Sequence, residues 1–345
     1  MLQLHRSYSN TSQNDMKMCI NKISQKFNIS EKDILQILTK SIIPKTLVNG
    51  PTDCIKFTNL EYHKTVYVFG ENHNIYQNVP YMHISEFMTE VLDTHTIHST
   101  HHSNDPIHIY VELPLDQSEL LYPKYTSAKS LFESDVVHTS QSKHLPLIYN
   151  TLRSYPNTHY SDIRFSDKLK PYLYLYLDLQ ELRGNISLYR KDYVFELMNR
   201  FKTLFPVDMN DILYGTGITQ IVNNISSHYI KNTIIQYFYN MFNKYNFAWT
   251  DVYKDLLSFY KFSNNQYITD MYLPYVVAWL NLFVDYYIIA SIFNDNIHYA
   301  IVYVGRTHML SFIDIFQSLN FQMTYSDKDP DSITPDLTKF IPLFS

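Results

Sequence analysis

One short pattern occurs twice, far apart in the chain: Val66-Tyr-Val-Phe-Gly-Glu-Asn-His73 and Ile301-Val-Tyr-Val-Gly-Arg-Thr-His308. Each is a run of β-branched and aromatic residues, then Gly, two variable residues and His, followed by a helical pattern. Such side chains suit a pleated, buried strand, and glycine lets the backbone turn sharply as it leaves one. With 6 Gly and 15 His in 345 residues, chance supplies roughly a quarter of one Gly-x-x-His, before a preceding strand is required. Strands alternating with helices in this way imply a mainly parallel sheet covered on both faces.

The remaining periodicities extend that plan. Residues 1–45 read as an N-terminal helical extension, with Ser30-Glu-Lys-Asp33 as start signal, Ile34, Leu35, Ile37 and Leu38 as its apolar face, and Pro44 as its end. Residues 46–345 read as an α/β domain. Strands are predicted at 65–69, at 107–111 running into Glu112-Leu-Pro114, more weakly at 160–165, and at 298–304. Ile84, Phe87, Met88 and Val91 recur at helical steps, predicting a helix over 83–92. Residues 171–293 read as a large helical insertion or cap, broken near 206–217 and 263–266. A further helix follows His308 through Leu319, and the Asp/Pro-rich tail after Phe321 reads as irregular. The fold class expected is therefore α/β, a mainly parallel central sheet flanked by helices, with a large helical insertion.

Composition narrows the partners. A chain with 45% hydrophobic, 16% aromatic and 18% charged residues belongs with ordered globular proteins. A net charge of −5 and no long Lys/Arg run argue against a nucleic-acid partner. Cys19 and Cys54 are the only cysteines, too few for a disulfide framework and without zinc-finger spacing, so a reducing, cytoplasmic compartment is expected. The N-terminus lacks the apolar run of a signal peptide. Residues 271–293 are long and apolar enough to span a bilayer, but Pro274, Asn281 and Asp285 favour a buried core helix. The abundance of Tyr, Asn and Ile suggests an AT-rich genome, as in intracellular parasites and large DNA viruses.

Polar residues gather where the predicted strands end. Glu71 and His73 follow the first, Glu112 closes the second, Asp162 and Arg164 lie in the third, and Arg306 and His308 follow the last. In open parallel sheets ligands sit outside the carboxyl ends of the strands. Each His lands near the first turn of a helix, where the backbone dipole disfavours a charged ring, and a neutral imidazole can act as a base or bind a metal.

The paired turns, with Gly70-Glu-Asn-His73 first, Glu112 in Val111-Glu-Leu-Pro114 at an intervening strand end, and Gly305-Arg-Thr-His308 last, resemble the erythromycin esterase-like/ChaN-like/TraB–Tiki superfamily. The likeness anchors residues 65–114 and 298–319 and leaves the helical block without motif support. It implies an α/β fold with the motifs at one sheet edge. Its members include an esterase, metal-dependent peptidases and haem-binding proteins, so it leaves the reaction open.

Two chemistries fit these residues. In one, His73 or His308 activates water, Glu112 orients it or serves as acid, and Arg164 or Arg306 stabilises an oxyanion formed from a small-molecule or peptide substrate. In the other, His73, His308 and Glu112 ligate a divalent metal that keeps an open water position. Blander roles are open to each residue. The Gly–His turns could be tight connections, Glu112 a surface ion-pair partner, Asp162 and Arg164 a structural pair on one strand face, and Arg306 and Glu71 solvated. The His95, His98, His101 and His102 cluster reads as a Thr/Ser-rich loop, and Asp285 as hydrogen-bonded in the core. The Tyr172, Tyr174, Tyr176 stripe reads as core or as a protein-binding surface. The rival to a hydrolase is a non-catalytic binding or structural component, for instance of a virus particle.

Overall fold

The computed structural model describes residues 30, 48–49, 51, 53–71, 82–89, 92, 105–114, 145–181, 191–262, 272–294 and 297–327. The strands are β1 (Val48–Asn49), β2 (Asp53–Asn59), β3 (Lys64–Glu71), β4 (Met82–His83), β5 (Ile107–Pro114), β6 (Thr158–Asp162), β7 (Tyr299–Gly305) and β8 (Gln322–Asp327). The helices are α1 (Leu145–Leu152), α2 (Lys170–Glu181), α3 (Lys191–Leu204), α4 (Met209–Gly215), α5 (Ile218–Asn223), α6 (His228–Tyr245), α7 (Phe247–Phe262), α8 (Leu273–Ile292) and α9 (Met309–Ser318). The N-terminal helical unit expected within residues 1–45 lies outside the described residues, Ser30 excepted.

Six strands form the central sheet in the order β6-β5-β7-β3-β2-β8, while β1 pairs with β4 separately. β6, β5, β7 and β3 are mutually parallel. β2 runs antiparallel to both β3 and β8. The interior strands β3 and β7 are buried along nearly their whole length, as strands covered on both faces must be. Their register brings Gly70 beside Val304 and Glu71 beside Gly305, so the two Gly-x-x-His motifs begin at one edge of the sheet.

The pleat divides the core. Val66, Val68, Tyr110, Ala300 and Val302 face the larger cluster, shared with the helices between β6 and β7 and with α9. Tyr67, Phe69, Val111, Ile301 and Tyr303 face a smaller cluster with Ile84, Phe87 and Met88 of the helical residues 84–89 and with Ile148 and Leu152 of α1. The helical block is built around α8, apolar on every side and therefore core rather than surface. By length and composition α8 could cross a membrane, but 67% of its apolar window is buried inside the fold. Trp279 of α8 meets Trp249 of α7 edge to face at 5.6 Å. Tyr172 of α2 is buried, and Tyr174 and Tyr176 pack partly buried against the same core.

Two local expectations are corrected and one strand is added. Residues 322–327 form strand β8 rather than irregular tail; Gln322 and Met323 are exposed, so this edge strand has no continuous apolar run to betray it. The strand predicted over 160–165 ends at Asp162 and tightens into a 3₁₀ turn, Ile163–Phe165. β2, unanticipated, joins β3 through a turn in which His63 takes φ 49; its sequence, Asp-Cys-Ile-Lys-Phe-Thr-Asn, alternates apolar and polar residues only over 55–58.

Candidate functional site

Glu112 sits near the carboxyl end of β5. Because β5 and β7 are parallel neighbours paired as far as Val111 and Tyr303, their ends lie side by side, and the backbone N–H of Gly305 donates to Glu112 Oε2 at 2.6 Å. The other oxygen, Oε1, accepts from Arg164 Nη2 at 2.5 Å and lies 3.2 Å from His308 Nε2. Three donors thus converge on one carboxylate that is only 7% exposed.

Arg164 comes from the 3₁₀ turn after β6. Asp162 caps that turn by accepting from the Arg164 backbone N–H, and its carboxylate also takes the guanidinium at 2.7 Å through Nε and 2.8 Å through Nη2. The two side chains therefore meet through a turn rather than along one strand face. Nη1 donates to Asn281 Oδ1 of α8 at 2.6 Å. Burial opposes the charge, but the Asp162 and Glu112 carboxylates outweigh it and hold the guanidinium more firmly protonated than usual. Among the described residues these contacts use four of the five guanidinium N–H groups, leaving one on Nη1.

His308 ends the 3₁₀ turn Arg306–His308 and is 1% exposed. Its Nδ1 lies 2.5 Å from Asp285 Oδ1 of α8, and Nε2 faces Glu112. Burial alone would push the ring towards neutrality, yet the two flanking carboxylates raise its pKa to about 10. At neutral pH the ring is an imidazolium donating from both nitrogens. The expectation of a neutral His308 fails because contact with two carboxylates outweighs a turn's dipole.

The structure therefore joins Glu112, Asp162, Arg164 and His308 into one buried chain of charges. It separates Glu71 and Arg306 from it. Glu71, 1% exposed, lies on the opposite face of the sheet, since side chains alternate along β3, and accepts from Tyr303 at 2.8 Å. Burial and that carboxylate push the Tyr303 phenol well up. Arg306 is half exposed and reaches Asp53, at the start of β2, at 3.0 Å. His73 and the His95, His98, His101, His102 cluster lie outside the described residues.

Two members were not among the candidate residues: Asp285, read as a core carboxylate, and Asn281, read only as a polar break. Their spacing of one helical turn in an otherwise apolar helix was the available signal, since i and i+4 share a face. The fit to a metal is poor in the described residues. His308 would first have to lose its proton, Glu112 Oε1 already serves Arg164, and no group of three ligating side chains occurs among the described residues. No family model, curated protein or solved structure matches the chain.

Proposed function

We propose that this chain is a hydrolase of the esterase or peptidase kind, akin to the erythromycin esterase-like/ChaN-like/TraB–Tiki superfamily that its paired turns resemble, acting at the carboxyl edge of the sheet. One observation carries the reading: α8 and the ends of β5, β6 and β7 deliver five charged side chains to one buried network, Asp285–His308–Glu112–Arg164–Asp162. Burying ions is costly even when they are paired, and a well-packed apolar cluster would hold the same elements together at least as well.

The geometry supports a particular division of labour. His308 has no lone pair to offer at neutral pH, and Glu112 is a weak base under three donors. The base is then His73, two residues beyond the end of β3. It takes a proton from water, the hydroxide attacks the carbonyl of a small-molecule ester or peptide, and the same imidazolium returns the proton to the leaving group. The remaining Nη1–H of Arg164, whose side chain is 15% exposed, donates to the oxyanion. Asp285, His308 and Glu112 keep that guanidinium in place.

A second reading is favoured by one fact: both ring nitrogens of His308 are engaged by protein carboxylates, as in an ionic latch within a binding or structural protein. A panel of ester and peptide substrates, with elemental analysis of the purified chain, separates the two. The hydrolase reading expects turnover in the wild type that falls at least about a hundredfold in His73→Ala without loss of thermal stability. No turnover across the panel, or equal turnover in His73→Ala, leaves the latch. Stoichiometric metal lost in that variant would instead revive the metal-ligand role of His73, His308 and Glu112. His308→Ala is the wrong probe, because leaving Asp285 and Glu112 buried without their cation costs about 3–5 kcal/mol of stability.

A further inference from the structure

Away from that network, β5 and the edge strand β6 are joined by a second pair of histidines. His108 Nδ1 and His159 Nε2 are 2.9 Å apart, the ring planes differ by 8°, and the centroids are 5.2 Å apart. Rings stacked face to face could not bring two edge nitrogens so close at that centroid distance. The separation equals one N···N contact plus the two ring radii, so the imidazoles lie end to end in a common plane. One nitrogen donates and the other accepts, and a single proton occupies the line between them. Tyr110, the cross-strand partner of His159, stacks on its ring at 4.7 Å and fixes the plane.

We propose that the His108–His159 pair is a pH-sensitive clasp that holds edge strand β6 to the sheet near neutrality and releases it on acidification. The bond exists only while one ring is neutral and offers a lone pair. A second proton places two N–H groups and two positive charges head to head, and the clasp opens. The charged neighbour that acts on His108 is Lys64 of β3, whose ammonium is held by the carbonyls of Asn294 at 3.2 Å and Ile297 at 2.6 Å. β7 places Ala300 opposite His108. Tyr110 and, from α8, Tyr287 contribute phenols that burial pushes up, so they stay neutral as the pH falls. Burial first lowers both imidazoles; Lys64 adds to it at His108, and His108 adds to it at His159, which falls to about 4.

Both folded-state values lie below the ordinary 6.5. The clasp is therefore fully engaged above about pH 6.5 and is lost as the pH falls towards the folded values. β6 ends at Asp162, which grips Arg164, so the consequence reaches the candidate site whatever that site does. The geometry of the clasp does not depend on the hydrolase reading.

Hydrogen exchange of the β6 amides, corrected for the intrinsic pH dependence, tests this on the intact chain. Protection in β6 is expected to fall about tenfold or more, relative to β3 and β7, between about pH 7 and about pH 5. His159→Phe keeps the stack on Tyr110 but cannot titrate; its β6 protection is expected to be lower at neutral pH and insensitive to acid. Imidazole nitrogen NMR is expected to show both rings neutral at neutral pH. Unchanged β6 protection in the acidified wild type, or a His159 that titrates at its ordinary value, overturns the proposal. Where His159→Phe fails to fold, the wild-type exchange and NMR measurements decide it alone.

Discussion

His308 binds its proton more tightly in the fold than in the unfolded chain, and that difference is a statement about stability. Its pKa rises from 6.5 to about 10, so its contribution is fully present below about pH 6.5 and is lost as the pH rises through about 10. The expected result is a melting temperature that falls between pH 7 and 10, with a visibly shallower fall in His308→Gln. A wild-type melting temperature flat across that range would show that the ring is not held as an imidazolium. The roles of the remaining residues follow the same logic. Glu112 and Arg164 were identifiable as types suited to a site, but which oxygen meets which nitrogen, and hence which group is a base and which a fixed cation, depends on angles between four elements. Asp285 illustrates the limit: one carboxylate in an apolar helix signals a buried partner, without saying that the partner is His308.

At the scale of elements, α8 connects the helical block to the sheet edge. One of its faces seats Trp279 among Trp249, Phe242 and Phe283. Another presents Asn281 to Arg164 and Asp285 to His308. Trp279→Ala is therefore expected to lower unfolding free energy by about 3–5 kcal/mol, measured by urea denaturation, through the cavity it leaves. It should also weaken the hold on His308, read as a lower imidazole pKa by NMR. A loss under about 1 kcal/mol would mean that α8 is not the packing centre described. Strands β3 and β7 were legible because continuous β-branched and aromatic runs have few other stable fates. β8 was not, because an edge strand with Gln322 and Met323 exposed is stabilised by its ladder rather than by an apolar pattern; β2 was not, because it buries Asp53, Lys56 and Asn59 among its apolar residues.

For the molecule as a whole, β8 closes one side of the sheet. It pairs with β2 from Gln322 to Asp327, and β2 in turn carries the buried Ile55 and Phe57. Ending the chain after Asn320 would leave β2 as an open edge with an apolar face, an invitation to pair with another copy. Such a truncation is expected to shift elution on size-exclusion chromatography towards higher-order species. A monodisperse truncated chain, eluting as the full-length one does, would show that β8 is dispensable for closing the sheet.

By itself the sequence determined the class of fold, the interior parallel strands and the edge at which the polar residues collect. These depend on local preference and on the alternation of apolar runs, which read the same wherever the chain goes. The tertiary structure decided the rest: that Glu71 faces away from Glu112 across the pleat, that Arg306 turns to Asp53, and that α8 supplies Asp285. It also decided that His308 is charged. A pKa is set by what lies within a few ångströms in space, and residues 112, 285 and 308 become neighbours only when the chain has folded.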